Sequence, residues 1–130
     1  SGLSAVQNVA NGLLYSGVQE TDRLRRSEIM LERVGLGHRL NHLPNEMSGG
    51  EQQRVAVARA LVHEPSFVLA DEPTGNLDSR STESMMELFY SLNEEGTTII
   101  IITHDREVAE RFPRQVVLKD GKIESDSGLV

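Results

Sequence analysis

The stretch Ser66-Phe67-Val68-Leu69-Ala70-Asp71-Glu72-Pro73-Thr74-Gly75-Asn76-Leu77-Asp78 decides how the rest of the chain is read. Phe67 to Ala70 is apolar at every position and stops at two acids. A strand with one wet face alternates, whereas an unbroken apolar run suits an interior strand of a parallel sheet. After the polar segment Thr74–Asp78, Met85, Leu88, Phe89 and Leu92 recur at the spacing of one helical stripe, up to about Asn93. Gly96 ends that helix, and Thr97–Ile102 is a second β-branched apolar run that stops at Thr103-His104-Asp105. Strand, helix, strand in this order predicts a βαβ unit with parallel strands and a right-handed crossover. The C-terminal ends of such strands share one edge, where α/β proteins bind ligands. Asp71 and Glu72 leave the first strand there and His104 leaves the second. Adjacent carboxylates at a buried strand end are costly without hydrogen bonds or a cation, and a hard cation such as phosphate-bound Mg²⁺ would serve. Taken singly, each residue has a plainer reading: Asp71 as a cap, Glu72 solvated, His104 structural.

Upstream, Met47-Ser48-Gly49-Gly50-Glu51-Gln52-Gln53-Arg54 opens into the apolar run Val55–Val62. Serine followed three residues later by glutamate is a capping-box start. Two glycines inside the cap let a ligand approach the backbone, and unpaired first-turn N–H groups beside the positive helix end suit an anion such as phosphate. Ahead of it, Leu3, Val6, Val9, Leu13 and Leu14 predict a short helix within 3–15, broken by Ser16-Gly17. A second helix is predicted from about Thr21 to Val34, capped by Thr21 or Asp22, with Leu24, Leu31 and Val34 inward and Gly35 as its stop. A polar loop, 37–45, contains Pro44. Downstream, a short helix around Arg106–Arg111 precedes a hairpin, with Val116–Lys119 and Lys122–Glu124 flanking Asp120-Gly121.

With 130 residues there is enough chain for one real core. The net charge of −7 argues against a non-specific nucleic-acid binder. No cysteine is present, so neither disulfides nor thiolate metal sites arise. No apolar run reaches membrane-spanning length and the first residues lack signal-peptide character, which together suggest a soluble, intracellular protein. His38 and His42 have i, i+4 spacing, but their loop context and the want of a third ligand argue against a metal site.

Order and spacing together resemble the ATP-binding cassette (ABC) ATPases, from about Leu3 to the final hairpin. Ser48-Gly49-Gly50-Glu51-Gln52 resembles the family's signature motif, and Phe67–Glu72 its Walker B strand with the catalytic glutamate attached. Asn76-Leu77-Asp78 is similar to the D-loop and Thr103-His104-Asp105 to the switch-histidine loop. Ala70–Asp78 and Arg54–Leu61 are most similar to the branch of lipoprotein-release, macrolide-export and cell-division cassettes. The resemblance implies an α/β, partial P-loop NTPase fold: a helical subdomain over 3–62, then a parallel βαβ portion of the RecA-like core with its hairpin over 63–126. It implies ATP and Mg²⁺ as cofactors, Asp71 as the metal residue, and Glu72 and His104 as catalytic base and γ-phosphate contact. Ser48, Gly49, Gly50 and Glu51 would meet the nucleotide of a second ATPase subunit, with Asp78 at that dimer interface. Transmembrane permease subunits, which largely choose the substrate, would hold the protein at the cytoplasmic face of the membrane.

One piece of the family pattern has no counterpart here. The P-loop, Gly-x-x-x-x-Gly-Lys-[Ser/Thr], cradles the nucleotide phosphates. The only Gly-Lys is Gly121-Lys122, in the hairpin turn, without the accompanying residues. Gly35-Leu36-Gly37 is no dinucleotide fingerprint either, because Leu40 stands where a third glycine belongs. The resemblance therefore covers the C-terminal portion of a cassette, expected to be inactive by itself and, with an open apolar sheet edge and face, to self-associate. Glu51 also replaces the family's usual glutamine; it improves the capping box and is expected to turn back toward the helix N-terminus. A non-catalytic module that donates the signature turn to another nucleotide-binding chain is the alternative function.

Overall fold

The structure, a computed structural model, describes residues 2–128. In chain order it contains α1 (Ala5–Asn11), α2 (Glu20–Arg33), a 3₁₀ turn (Pro44–Glu46), α3 (Gly49–Leu61), β1 (Phe67–Asp71), α4 (Ser79–Glu94), β2 (Thr98–Ile102), α5 (Arg106–Ala109), β3 (Val116–Lys119) and β4 (Lys122–Asp126). The βαβ unit forms as its apolar runs require: β1 and β2 pair in parallel, from Phe67 opposite Thr98 to Asp71 opposite Ile102. Met85, Leu88, Phe89 and Leu92 line the buried stripe of α4, joined by Met86. β3 and β4 form a separate antiparallel hairpin, with Asp120 and Gly121 at φ 50° and 74° in its turn. Positive φ at both central residues is the type I′ geometry that Asp-Gly favours.

The N-terminal helices stand against one another around Val9, Leu31, Val34, Ala58 and Leu61, all buried. The first helix is shorter than the apolar spacing suggests. It ends at Asn11, and Leu14 is exposed. Gly12 sits at its C-cap, so close to α3 that a Cβ there would lie 3.2 Å from a Val62 methyl and 3.3 Å from the Arg59 carbonyl. The loop after α2 is structural as well as polar. Its Leu40 and His42 carbonyls accept from the N–H groups of Val6 and Ala5 at 2.9 Å each, satisfying orphan donors at the start of α1. α2 begins earlier than Thr21 or Asp22, with Gln19 as N-cap and no capping side chain. Glu20 and Asp22 fall in its first turn, where the helix dipole favours acids without a formal cap. Its end is as read. Gly35 has φ +82°, the Leu36 N–H bonds the Leu31 carbonyl at 2.7 Å, and the Gly35 N–H bonds Glu32 at 3.0 Å. This is a Schellman closure, with Leu36 buried behind it.

One apolar cluster runs from α1 through α3 and α4 to Val108 in α5. It covers a single face of the sheet. On the other face Phe67, Leu69, Ile100 and Ile102 are 44 to 58% exposed, and β1 has β2 as its one partner among the described residues. The apolar run thus makes a parallel strand, with the cover expected of an interior strand on one side only. Phe89, fully enclosed in the cluster, is where truncation should cost most. Phe89→Ala is expected to lower unfolding free energy by about 3–5 kcal/mol, read from the chemical-denaturation midpoint.

Candidate functional site

The register of β1 and β2 brings Glu72 against the Thr103-His104 segment. The Glu72 N–H donates to the Ile102 carbonyl at 2.8 Å, extending the ladder one residue beyond β1. The chain then turns with Glu72 at φ +46°, uncommon for a residue with a Cβ, and the Gly75 N–H closes the turn on the Glu72 carbonyl at 3.2 Å. The Glu72 carboxylate accepts three hydrogen bonds: from the His104 N–H at 2.8 Å, the His104 ring Nδ1 at 2.6 Å and the Thr103 hydroxyl at 3.1 Å. A carboxylate only accepts, so these contacts fix the proton on Nδ1 and leave Nε2 facing outward on an exposed ring. Thr103 is itself held, its Oγ1 accepting from the Asp105 N–H at 3.0 Å. The strand end is not buried as the sequence suggested. Asp71 is exposed and Glu72 half-exposed, because β1 has no neighbour on its second side among the described residues. Hydrogen bonds from the His104 segment meet the charge of Glu72.

The second group surrounds the start of α3. Ser48 is the N-cap, its Oγ accepting from the Glu51 N–H at 3.1 Å. That contact uses an acceptor lone pair and leaves the hydroxyl proton free to donate outward. Gly50 packs on the first turn of α4, where a Cβ would lie 3.4 Å from Ser81 Cβ and Oγ, and a Cβ on Gly49 would lie 3.6 Å from Leu77. Asp78 is the N-cap of α4 and accepts from the Ser81 N–H at 2.7 Å. That bond, with one from the Ser81 side chain, holds its carboxyl below the usual aspartate range. Two helix N-termini therefore open side by side onto a shallow depression that Arg54 and Arg80 also line. The full capping box does not form on α3: the Glu51 side chain leaves the Ser48 N–H and lies instead beside Arg39, Oε2 to Nε 3.5 Å.

The two groups are joined through α3. Gln53 Nε2 donates to the Pro73 carbonyl at 2.9 Å, immediately after Glu72. Arg54 donates to the Val34 carbonyl at 2.6 Å, the Ser84 carbonyl at 3.1 Å and the Ser84 hydroxyl, tying the C-terminus of α2 and the flank of α4 to α3. The structure thus gathers Asp71, Glu72 and His104 at the sheet edge, and Ser48, Gly49, Gly50, Glu51 and Asp78 at the paired helix starts. Thr103, Gln53 and Arg54 stand inside the quoted motifs without a role of their own there, and Arg39 lies outside them. Their roles depend on contacts across 12 to 31 positions, which no local pattern reports. Among the described residues no three His, Asp or Glu side chains converge as a metal cage.

Residues 3–75 match the ABC transporter family. The chain belongs to that family. It is 51% identical over 121 residues to the ABC transporter ATP-binding protein YknY of Bacillus subtilis (strain 168), covering 93% of this chain and 53% of YknY. It is 49% identical over 123 residues to the lipoprotein-releasing system ATP-binding protein LolD of Shewanella sp. (strain MR-7), covering 94% and 53%. With the macrolide export ATP-binding/permease protein MacB of Rhodospirillum rubrum it shares 48% identity over 128 residues, 98% of this chain and 20% of MacB. Its structure resembles the dimeric ATP-binding cassette MJ0796 bound to ADP and Pi, with TM-score 0.78 and 40% identity over 97% of this chain and 56% of that one. The chain therefore has part of the ABC ATPase, P-loop NTPase fold, and spans about half the length of YknY and LolD.

Around Glu72, burial works to raise the pKa, but the hydrogen bonds from the His104 N–H, the His104 ring and Thr103, with Coulomb attraction to His104, outweigh it and leave the carboxyl below the ordinary glutamate value. A depressed folded pKa gives stability that is present above the unfolded value and lost as pH falls through the folded one. Thr103→Val is expected to raise the Glu72 titration midpoint and narrow that acid window, read by carboxyl-carbon NMR across an acid titration.

Proposed function

We propose that these residues are part of the ATP-hydrolysing subunit of an ABC transporter, in which Glu72 is the general base and the Ser48–Glu51 turn receives nucleotide from a facing subunit. The observation that carries this is the three-donor clamp on Glu72 at the sheet edge, within a chain of the ABC family. A carboxylate fixed and kept ionised at a strand end is suited to orient a water and take its proton. His104, oriented through Nδ1, would contact the γ-phosphate through Nε2; to donate there as well as to Glu72 the ring must carry both protons. Asp71 would hold Mg²⁺ through water, and the bound nucleotide supplies the phosphoanhydride that is broken. At the turn, the free hydroxyl proton of Ser48 and the N–H groups of the first turn suit a phosphate oxygen, while Gly49 and Gly50 let Leu77 and Ser81 stand close beside them. Asp78, capping α4 beside Gly50, would stand at the same subunit boundary.

In this reading residues 3–62 form the helical subdomain that meets permease subunits, and 63–126 form part of the nucleotide-binding core. Among the described residues no helix is long and apolar enough to cross a membrane; the place on the cytoplasmic side, beside the permease subunits, is part of the proposal. A non-catalytic donor of the signature turn is the second reading, which the capped, glycine-bearing start of α3 serves equally well. Combining the chain with a P-loop-bearing unit and measuring phosphate release separates the two. Restored hydrolysis that Glu72→Gln lowers about 100- to 10,000-fold supports the enzyme; no hydrolysis with any such unit supports the donor.

The open face of Phe67, Leu69, Ile100 and Ile102 supports a further proposal, self-association of these 130 residues in isolation. Sedimentation velocity is expected to give a mass that rises with concentration and falls back toward the monomer in Leu69→Lys. A single monomer boundary at high concentration rules it out.

A further inference from the structure

An acid in the first turn of α3 is at odds with an anion site. Glu51 lines the same depression as Ser48 and Gly50, so an incoming phosphate would meet a like charge. Its side chain is nonetheless kept off the helix N-terminus. The Oε2 atom is enclosed and has no hydrogen-bond partner, and so is the Nε atom of Arg39 that lies 3.5 Å away. Each is what compensates the other, and Arg39 is the one cation that pairs with Glu51 among the described residues. The nearby Arg54 guanidinium is already committed to the Val34 and Ser84 carbonyls. Arg39 is fixed from three directions: its N–H donates to the Leu36 carbonyl at 2.9 Å, its own carbonyl accepts from His42 at 3.1 Å, and its Nη1 contacts the His42 ring at 3.1 Å. The loop after α2 is therefore built to present a guanidinium at the flank of the turn.

We propose that Arg39 is a positioning residue for nucleotide at the Ser48–Gly50 turn, holding the Glu51 carboxylate aside and offsetting its charge so that the turn accepts a phosphate. This rests on the reading of that turn as a nucleotide contact. Removing Arg39 releases an uncompensated carboxylate into the site, and removing Glu51 as well takes away the reason for Arg39.

The test is a double-mutant cycle on the assembled ATPase, reading kcat and KM for ATP. Arg39→Gln is expected to raise KM on the order of tenfold, more than it lowers kcat, with the rise shrinking as ionic strength increases. Arg39→Lys, which keeps the charge, recovers most of the loss. Glu51→Gln tightens binding far more in the Arg39→Gln background than in the parent. Equal effects of Arg39→Gln with and without Glu51→Gln overturn the proposal, because Arg39 would then act on the phosphate or the fold directly. Gly50→Asp is the control on the underlying reading. If it leaves KM unmoved, the turn does not meet nucleotide and both fail; if it raises KM while the cycle is additive, only the role of Arg39 fails.

Discussion

The parallel register of β1 and β2 is the constraint on which the rest of the site depends. With Asp71 opposite Ile102, the next residue on each strand enters the same few ångströms, and the Glu72 N–H still finds the Ile102 carbonyl. Side chains alternate along a strand, so a slip of one residue would turn Val68 and Ala70 outward and carry Glu72 away from His104. The core guards against that slip. Val68 is buried and Ala70, Ile99 and Ile101 pack against the same cluster as Phe89 and Met85, whereas the opposite face could shift at little cost. The geometry at this edge is thus fixed by apolar packing on the α4 side of the sheet.

α3 carries that constraint to the second group. Consecutive residues at its N-terminus have divided tasks: Ser48 caps, Gly49 and Gly50 admit Leu77 and Ser81 of the neighbouring segment, Gln53 holds Pro73 and Arg54 holds α2 and α4. Moving α3 would move the segment after Glu72 with it. Apart from one contact of Arg54 to the Ser84 hydroxyl, the bonds from Gln53 and Arg54 are made to backbone carbonyls, so they report chiefly the position of the chain. Within the proposed function, this is how a change at the nucleotide-facing turn would be felt at the base.

What the sequence made legible follows the range of the interactions. Strands, helices and stops were legible because they are local: the apolar runs Phe67–Ala70 and Ile99–Ile102, the stripe of α4, Gly35 and Asp120-Gly121 each act within a few residues. Glu72 beside His104 was legible because parallel strand ends meet by topology. Glu51 was misread because the capping box is a local rule, and a charge 12 positions away competed for the carboxylate and won. The cap of α2 was misplaced for a related reason. Its first-turn acids already complement the dipole, so no capping side chain is needed at Thr21 or Asp22.

The surfaces left open have one thing in common. The face of Phe67, Leu69, Ile100 and Ile102 presents apolar area, while the turn at Ser48 presents N–H groups and a hydroxyl proton, and neither finds its complement among the described residues. Apolar area in water favours association whatever covers it, so that face selects poorly among partners. The turn is the opposite: a few donors at fixed positions, beside an acid whose charge is offset, discriminate strongly and contribute little binding on their own. Within the proposed function, association would come from the broad surfaces and nucleotide dependence from the turn. The Arg39–Glu51 pair would then matter out of proportion to its own weak attraction, because it acts where specificity is decided.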